Sequence, residues 1–271
     1  MRPRRLIGRL SLALLAVSLA SAAALADQRG CPDAQELIAA SRYTSGEKTV
    51  LRTELARTLN AEVPAACLND LTSMALARGV AAQQLAVFYQ VLRRVKADGL
   101  PEIAFANKIA EGLAKRAPGE LIVQVLLERE RNFLRARQLM SANLKRQLIY
   151  DQSYYSVMDL TAEGLRRGLP PEGIARVFRA RSGSLEEVAR AMRAYLYLQA
   201  INFPPDAAPD IVVAALEAGQ FRQCRTCLGQ VIFSARRSGT PPAKIRDELV
   251  RGLRSGQDLG EISRVLYSQP Q

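Results

Sequence analysis

The sequence predicts an all-α fold, an α-solenoid-like array of about five repeated helical hairpins with longer helices in the middle. Three observations predict it. Apolar residues recur at helical spacing along the chain, and no stretch alternates as a half-buried strand does. A short element built around a leucine recurs five times. Proline and glycine stand at fixed distances on either side of that element, where helices begin and end.

The element is a small residue followed by leucine, with glycine usually three residues further on. Its copies are Ala75-Leu76 with Gly79, Gly112-Leu113 with Arg116, Gly164-Leu165 with Gly168, Ala215-Leu216 with Gly219, and Gly252-Leu253 with Gly256. Twelve residues before the leucines stand Pro64, Pro101, Ser153, Pro204 and Pro241. Nine residues after them stand Leu85, Ile122, Ile174, Arg225 and Ile262, and twelve after them Phe88, Val125, Val177, Leu228 and Val265. Proline is tolerated in the first turn of a helix, and glycine just past the last core leucine suits a left-handed C-terminal cap. The apolar residues at plus nine and plus twelve share one face of the next helix, and the small residue lets the two helices approach closely.

The leucines are spaced 37, 52, 51 and 37 residues apart, so two similar ends flank an enlarged middle. Residues 64–117 match 204–257 at a constant offset of 140. The expected hairpin units lie near 64–97, 101–149, 153–201, 204–238 and 241–267, within a single helical-repeat domain over 27–271. The middle is expected to hold one long helix from Glu120 to about Arg146, a joint at Tyr150 to Ser153, and a helix from Leu185 to about Ile201. In such an array each hairpin buries its apolar face on its neighbours, so stability is shared along the stack.

The chain opens with Arg2, Arg4, Arg5 and Arg9 and no acid, followed by 17 uncharged residues, Leu10 to Ala26, ending in Ala24-Leu25-Ala26. This is the layout of a secretory signal peptide over 1–26, with cleavage expected before Asp27 and a periplasmic or secreted location as its consequence. An uncleaved anchor is the other reading of that segment, which is slightly shorter than the roughly 20 residues of a membrane-spanning helix. No later run is apolar enough to cross a bilayer, so no stable span is expected after cleavage.

Without the four arginines of the opening segment, the formal charge falls from +12 to +8. Residues 27–128 are balanced at 12 basic and 12 acidic, whereas 129–193 carry 13 and 7, and 194–271 carry 9 and 7. The excess is local to the middle. The candidate partner-binding residues are therefore Arg129, Arg131, Arg135, Arg137, Arg176, Arg179 and Arg181, with Tyr150, Tyr154, Tyr155, Tyr195 and Tyr197 among them. Tyr195 and Tyr197 are two residues apart on one helix and point in different directions, so one of them is expected at the surface.

Histidine is absent, which removes the commonest general base and the commonest zinc ligand. No metal and no cofactor is expected. Four cysteines, Cys31, Cys67, Cys224 and Cys227, form an even set suited to disulfides in an oxidising compartment. Of the three possible pairings, Cys31 with Cys67 and Cys224 with Cys227 keep each bond within one end of the chain. Glu111 and Glu163 occupy the same repeat position, which speaks for a repeat surface rather than a catalytic acid.

These readings point to an exported interaction or scaffold protein of the bacterial cell envelope, binding a protein or an anionic envelope component and no nucleic acid. The competing reading is an envelope enzyme. It would be either a carboxylate-dependent glycan hydrolase or a thiol-disulfide oxidoreductase using Cys224 and Cys227, whose thiols Arg222 and Arg225 would acidify.

Overall fold

The computed structural model describes residues 33–144, 151–180, 184–222 and 228–267, and among these it contains 13 helices and no strand. The first part of the chain forms α1 (Ala34–Ala40), α2 (Ser45–Asn60), α3 (Ala65–Ala77), α4 (Ala82–Ala97) and α5 (Glu102–Ala114). The middle holds α6 (Gly119–Asn143), α7 (Gln152–Arg166) and α8 (Pro171–Arg179). The last part forms α9 (Leu185–Ala200), α10 (Ala208–Glu217), α11 (Leu228–Arg237), α12 (Pro242–Arg254) and α13 (Leu259–Tyr267). No helix among the described residues is long and apolar enough to cross a membrane.

Local sequence explains the boundaries. Thr44 caps α2 in a reciprocal capping box with Glu47, and the Ser184 hydroxyl accepts from the Glu187 backbone at the start of α9. Pro64, Pro101 and Pro241 sit at the N-cap of α3, α5 and α12, one residue earlier than the first turn expected for them. At the other end of the hairpins, Gly79, Arg116, Gly168, Gly219 and Gly256 all adopt left-handed backbone, with φ of 66°, 57°, 85°, 70° and 82°. Arg116 thus keeps the conformation of the glycine it replaces.

The small residue of the repeat makes room for the next helix. A Cβ at Gly112 would lie 2.8 Å from Ile122 Cγ1, and one at Gly252 would lie 2.6 Å from Ile262 Cγ1. In both copies the neighbour is the residue nine positions after the repeat leucine. Those plus-nine residues, Leu85, Ile122, Ile174 and Ile262, are all buried.

Every helix packs on the one two places ahead of it, α1 on α3, α2 on α4 and so on to α11 on α13, with one exception. The pair α5 and α7 lacks this packing, and α7 instead lies along α6. The buried residues still form one continuous core from Ala34 to Leu266. Polar contacts tie successive turns of the stack: Glu54 binds Arg93 at 3.0 Å between α2 and α4, and Glu130 receives Arg94 through two 2.8 Å bonds between α4 and α6.

The offset of 140 extends further than residues 64–117. Helix α9 is α2 displaced by 140 at both ends, and so is α12 with respect to α5. Four left-handed positions recur at the same offset, Glu62 with Asn202, Gly79 with Gly219, Gly99 with Gly239, and Arg116 with Gly256. The chain is a duplicated six-helix unit, α1–α6 and α8–α13, and the last dozen residues of α6 together with α7 lie between the copies. Residues 153–201, expected as one hairpin, hold three helices, and the pair α1 and α2 precedes the first expected unit. The long middle helix and the helix from Leu185 stand where the sequence places them.

Candidate functional site

A cleft of about 380 Å³ opens where α5 and α7 fail to pack. Lys108 of α5, Val125, Glu128, Arg129, Asn132 and Phe133 of α6, and Ala162, Glu163 and Arg166 of α7 line it. The cleft lies where α7 packs along α6 instead of on α5.

Arg129 is its central cation. Phe105 and Phe133, buried side chains of α5 and α6, meet at 5.2 Å between ring centroids. The Arg129 guanidinium carbon lies 4.8 Å from the Phe133 centroid and 5.7 Å from that of Phe105, within cation–π range. One terminal nitrogen donates to Asp159 Oδ1 at 2.7 Å, bridging α6 to α7. Its Nε is buried and has no hydrogen-bond partner among the described residues. A buried donor without an acceptor is costly, and the described residues supply none to this Nε.

The two carboxylates of the cleft differ. Glu163 accepts from Arg166 through two 2.7 Å bonds and from Arg167 at 2.6 Å, and these partners pull its pKa from 4.5 down to about 2. Glu111, its counterpart in the repeat, is drawn down to about 2 by Lys108 and Lys115. A general acid needs the opposite displacement, so neither glutamate can deliver a proton near neutrality. Glu128 lies exposed on the outer stripe of α6, followed three and seven residues later by Arg131 and Arg135.

The sequence candidates separate into three groups. Arg129 lines the cleft, and Arg131 and Arg135 are exposed on α6 outside its lining, without an ion-pair partner among the described residues. Arg137 donates to the Asp98 carbonyl and Arg176 pairs with Asp210, so these two fasten neighbouring elements, whereas Arg179 pairs with Glu172 within α8. Tyr154 and Tyr195 are buried at 1% and 0% exposure, and Tyr155 is half-buried with its ring edge-on to Tyr154. They are core rather than surface. Tyr197 is exposed, as its spacing from Tyr195 requires. Tyr150 and Arg181 lie outside the described residues.

Of the cysteines, only Cys67 is described. It is half-buried in α3, and burial raises its thiol pKa, the reverse of what a redox cysteine needs. Cys31, Cys224, Cys227 and the segment 1–26 fall outside the described residues. The residues of the candidate site that sequence reasoning missed are Phe105, Phe133 and Asp159. The only signal for them is that they surround Arg129 once α5, α6 and α7 are placed. No protein-family model, no curated protein and no solved structure gives a significant match to this chain.

Proposed function

We propose that this chain is a non-enzymatic interaction protein of the cell envelope, exported by its N-terminal segment, that seats an anionic group of a partner in the α5–α7 cleft. The observation that carries this reading is Arg129, set against the paired rings of Phe105 and Phe133 in the cleft, with a buried Nε that has no hydrogen-bond partner among the described residues. Arg131 and Arg135, exposed on the same helix, carry the positive character along α6, where a longer anionic chain would lie. The lowered pKa of Glu163 lends nothing to carboxylate-dependent hydrolysis.

Poly-glutamate serves as the probe for an acidic chain. It should bind residues 27–271 at low ionic strength and lose affinity as salt screens exposed charges over roughly 10 Å at 0.1 M. The Arg131→Glu/Arg135→Glu variant should weaken that binding by about tenfold or more, and Arg129→Ala should weaken it while helicity is kept. The same reversal at Arg246 and Arg254, remote on α12, should have little effect. Equal losses in both reversal variants would remove the cleft from the reading.

A further inference from the structure

The duplication allows each surface position of one copy to be compared with its equivalent in the other, and one pair of positions differs in kind. In the first copy Arg57 of α2 and Arg93 of α4 both bind the buried Glu54, at 2.8 and 3.0 Å. At the offset of 140 the second copy carries Tyr197, Phe233 and Ala194 in their places. An ion-pair network has become an aromatic surface. Tyr197 of α9 is 40% exposed and Phe233 of α11 is 45% exposed. The fold does not require this, because the first copy closes the same place with charges.

The two rings are neighbours. A Cβ on Gly229 of α11 would lie 2.6 Å from Tyr197 Cε1, so the tyrosine ring rests on α11 at that glycine. Phe233 follows one turn later on the same side of that helix. Tyr267 of α13, 43% exposed, leans on α11 from the other flank and donates to the Val231 carbonyl at 3.1 Å. Arg193 of α9 and Arg237 of α11 stand exposed on the same faces without an ion-pair partner among the described residues. The nearest acid on the α9 face, Glu186, is bound to Arg190 at 2.7 Å.

We propose that the outer face of α9, α11 and α13 docks on an anionic lipid surface. Helices stacked side by side present one ring each, and arginines flank the rings. Aromatic rings settle at the headgroup level, and guanidinium groups beside them attract lipid phosphates. A second copy of the chain is a poor occupant, because this face would set like charges against each other. The surface is distinct from the α5–α7 cleft and does not depend on it.

The test uses the replacement that the first copy already carries. Ala194→Glu with Phe233→Arg restores the Glu54–Arg93 pair at the equivalent place, leaves net charge unchanged and keeps Tyr197 on Gly229. Residues 27–271 should float with vesicles of phosphatidylglycerol and phosphatidylcholine, and bind vesicles of phosphatidylcholine alone much less. The double variant should keep its helicity and melting temperature and lose affinity for the anionic vesicles by about tenfold or more, the change expected when one ring no longer leaves water. Arg193→Glu with Arg237→Glu should reduce binding and its salt dependence. Unchanged vesicle binding in the Ala194→Glu/Phe233→Arg variant would overturn the proposal. So would wild-type protein that ignores anionic vesicles at low salt, including the case where this face instead retains an acidic peptide.

Discussion

At the scale of single residues, the tightest demand falls on glycines that make room for a neighbour. Gly112, Gly164 and Gly252 each stand where an added Cβ would come within 2.6 to 2.8 Å of a buried side chain, Ile122, Leu169 or Ile262. Overpacking of this kind costs typically about 1–3 kcal/mol, so Gly112→Ala should destabilise by that amount. Ile122→Ala alone opens a cavity and should cost about 2–5 kcal/mol. The double variant should cost less than the two together, because the new methyl enters the space that isoleucine leaves. Urea denaturation of the four proteins measures this coupling, and additivity within about 0.5 kcal/mol would show that the two residues do not confront each other. The small residue was legible in sequence because it precedes a leucine five times, and its partner was legible at Gly112 and Gly252 from the constant spacing of nine. At Gly164 that spacing misleads. The atoms nearest an added Cβ there belong to Leu169 of the turn and not to Ile174.

At the scale of the element, nine of the described helices end alike. Each of Glu62, Gly79, Gly99, Arg116, Gly168, Asn202, Gly219, Gly239 and Gly256 has left-handed backbone, and the following N–H bonds the carbonyl five residues back. This closes the last turn and satisfies carbonyls that would otherwise be orphaned. Six of the nine are glycine, and these the sequence displays. Arg116 is recognisable only from its register in the repeat, Asn202 is the side-chain-bearing residue that left-handed caps favour, and Glu62 carries no signal, because such a cap tolerates a side chain at a cost of roughly 1–2 kcal/mol. Substitutions should therefore act in opposite directions. Gly168→Ala should lower stability by about 1–2 kcal/mol, whereas Arg116→Gly should leave it unchanged or raise it by up to about 1 kcal/mol. Thermal melts of both variants check this, and a loss in Arg116→Gly comparable to that in Gly168→Ala would mean that the Arg116 side chain contributes more than its backbone strain costs. Helices α6 and α8 end differently, with extended Leu144 and Ala180 at their C-caps. They are the two helices that break the regular hairpin length, and the absence of a glycine after each was the available clue.

At the scale of the whole molecule, stability in a stacked array is a sum over neighbouring interfaces, so one weak interface sets how far cooperativity reaches. Here the packing of each helix on the one two places ahead is interrupted at a single step, α5 to α7. With α5 and α7 unpacked, the two copies communicate through the extension of α6, which packs on α7 and α8. Met140 is fully buried in that extension, whereas Leu249 is fully buried in α12, well inside the second copy. Truncating either to alanine should cost about 2–5 kcal/mol. The shapes of the transitions should differ. Loss of Met140 weakens the coupling between copies, so each should melt with its own midpoint and the calorimetric enthalpy should exceed the van't Hoff enthalpy. Loss of Leu249 weakens one copy internally and should shift the melt while leaving the coupling across α6 intact. The sequence showed the two similar ends and the enlarged middle, yet not the interrupted stack, because spacing along one chain records how long a connection is and not which helix it leaves uncovered. Scanning calorimetry on the two variants decides the point: a single two-state transition in Met140→Ala, as sharp as that of Leu249→Ala, would mean that α6 and α7 bind the copies as firmly as any hairpin binds its neighbour, and that the cleft between α5 and α7 is no hinge in the energetics of the array.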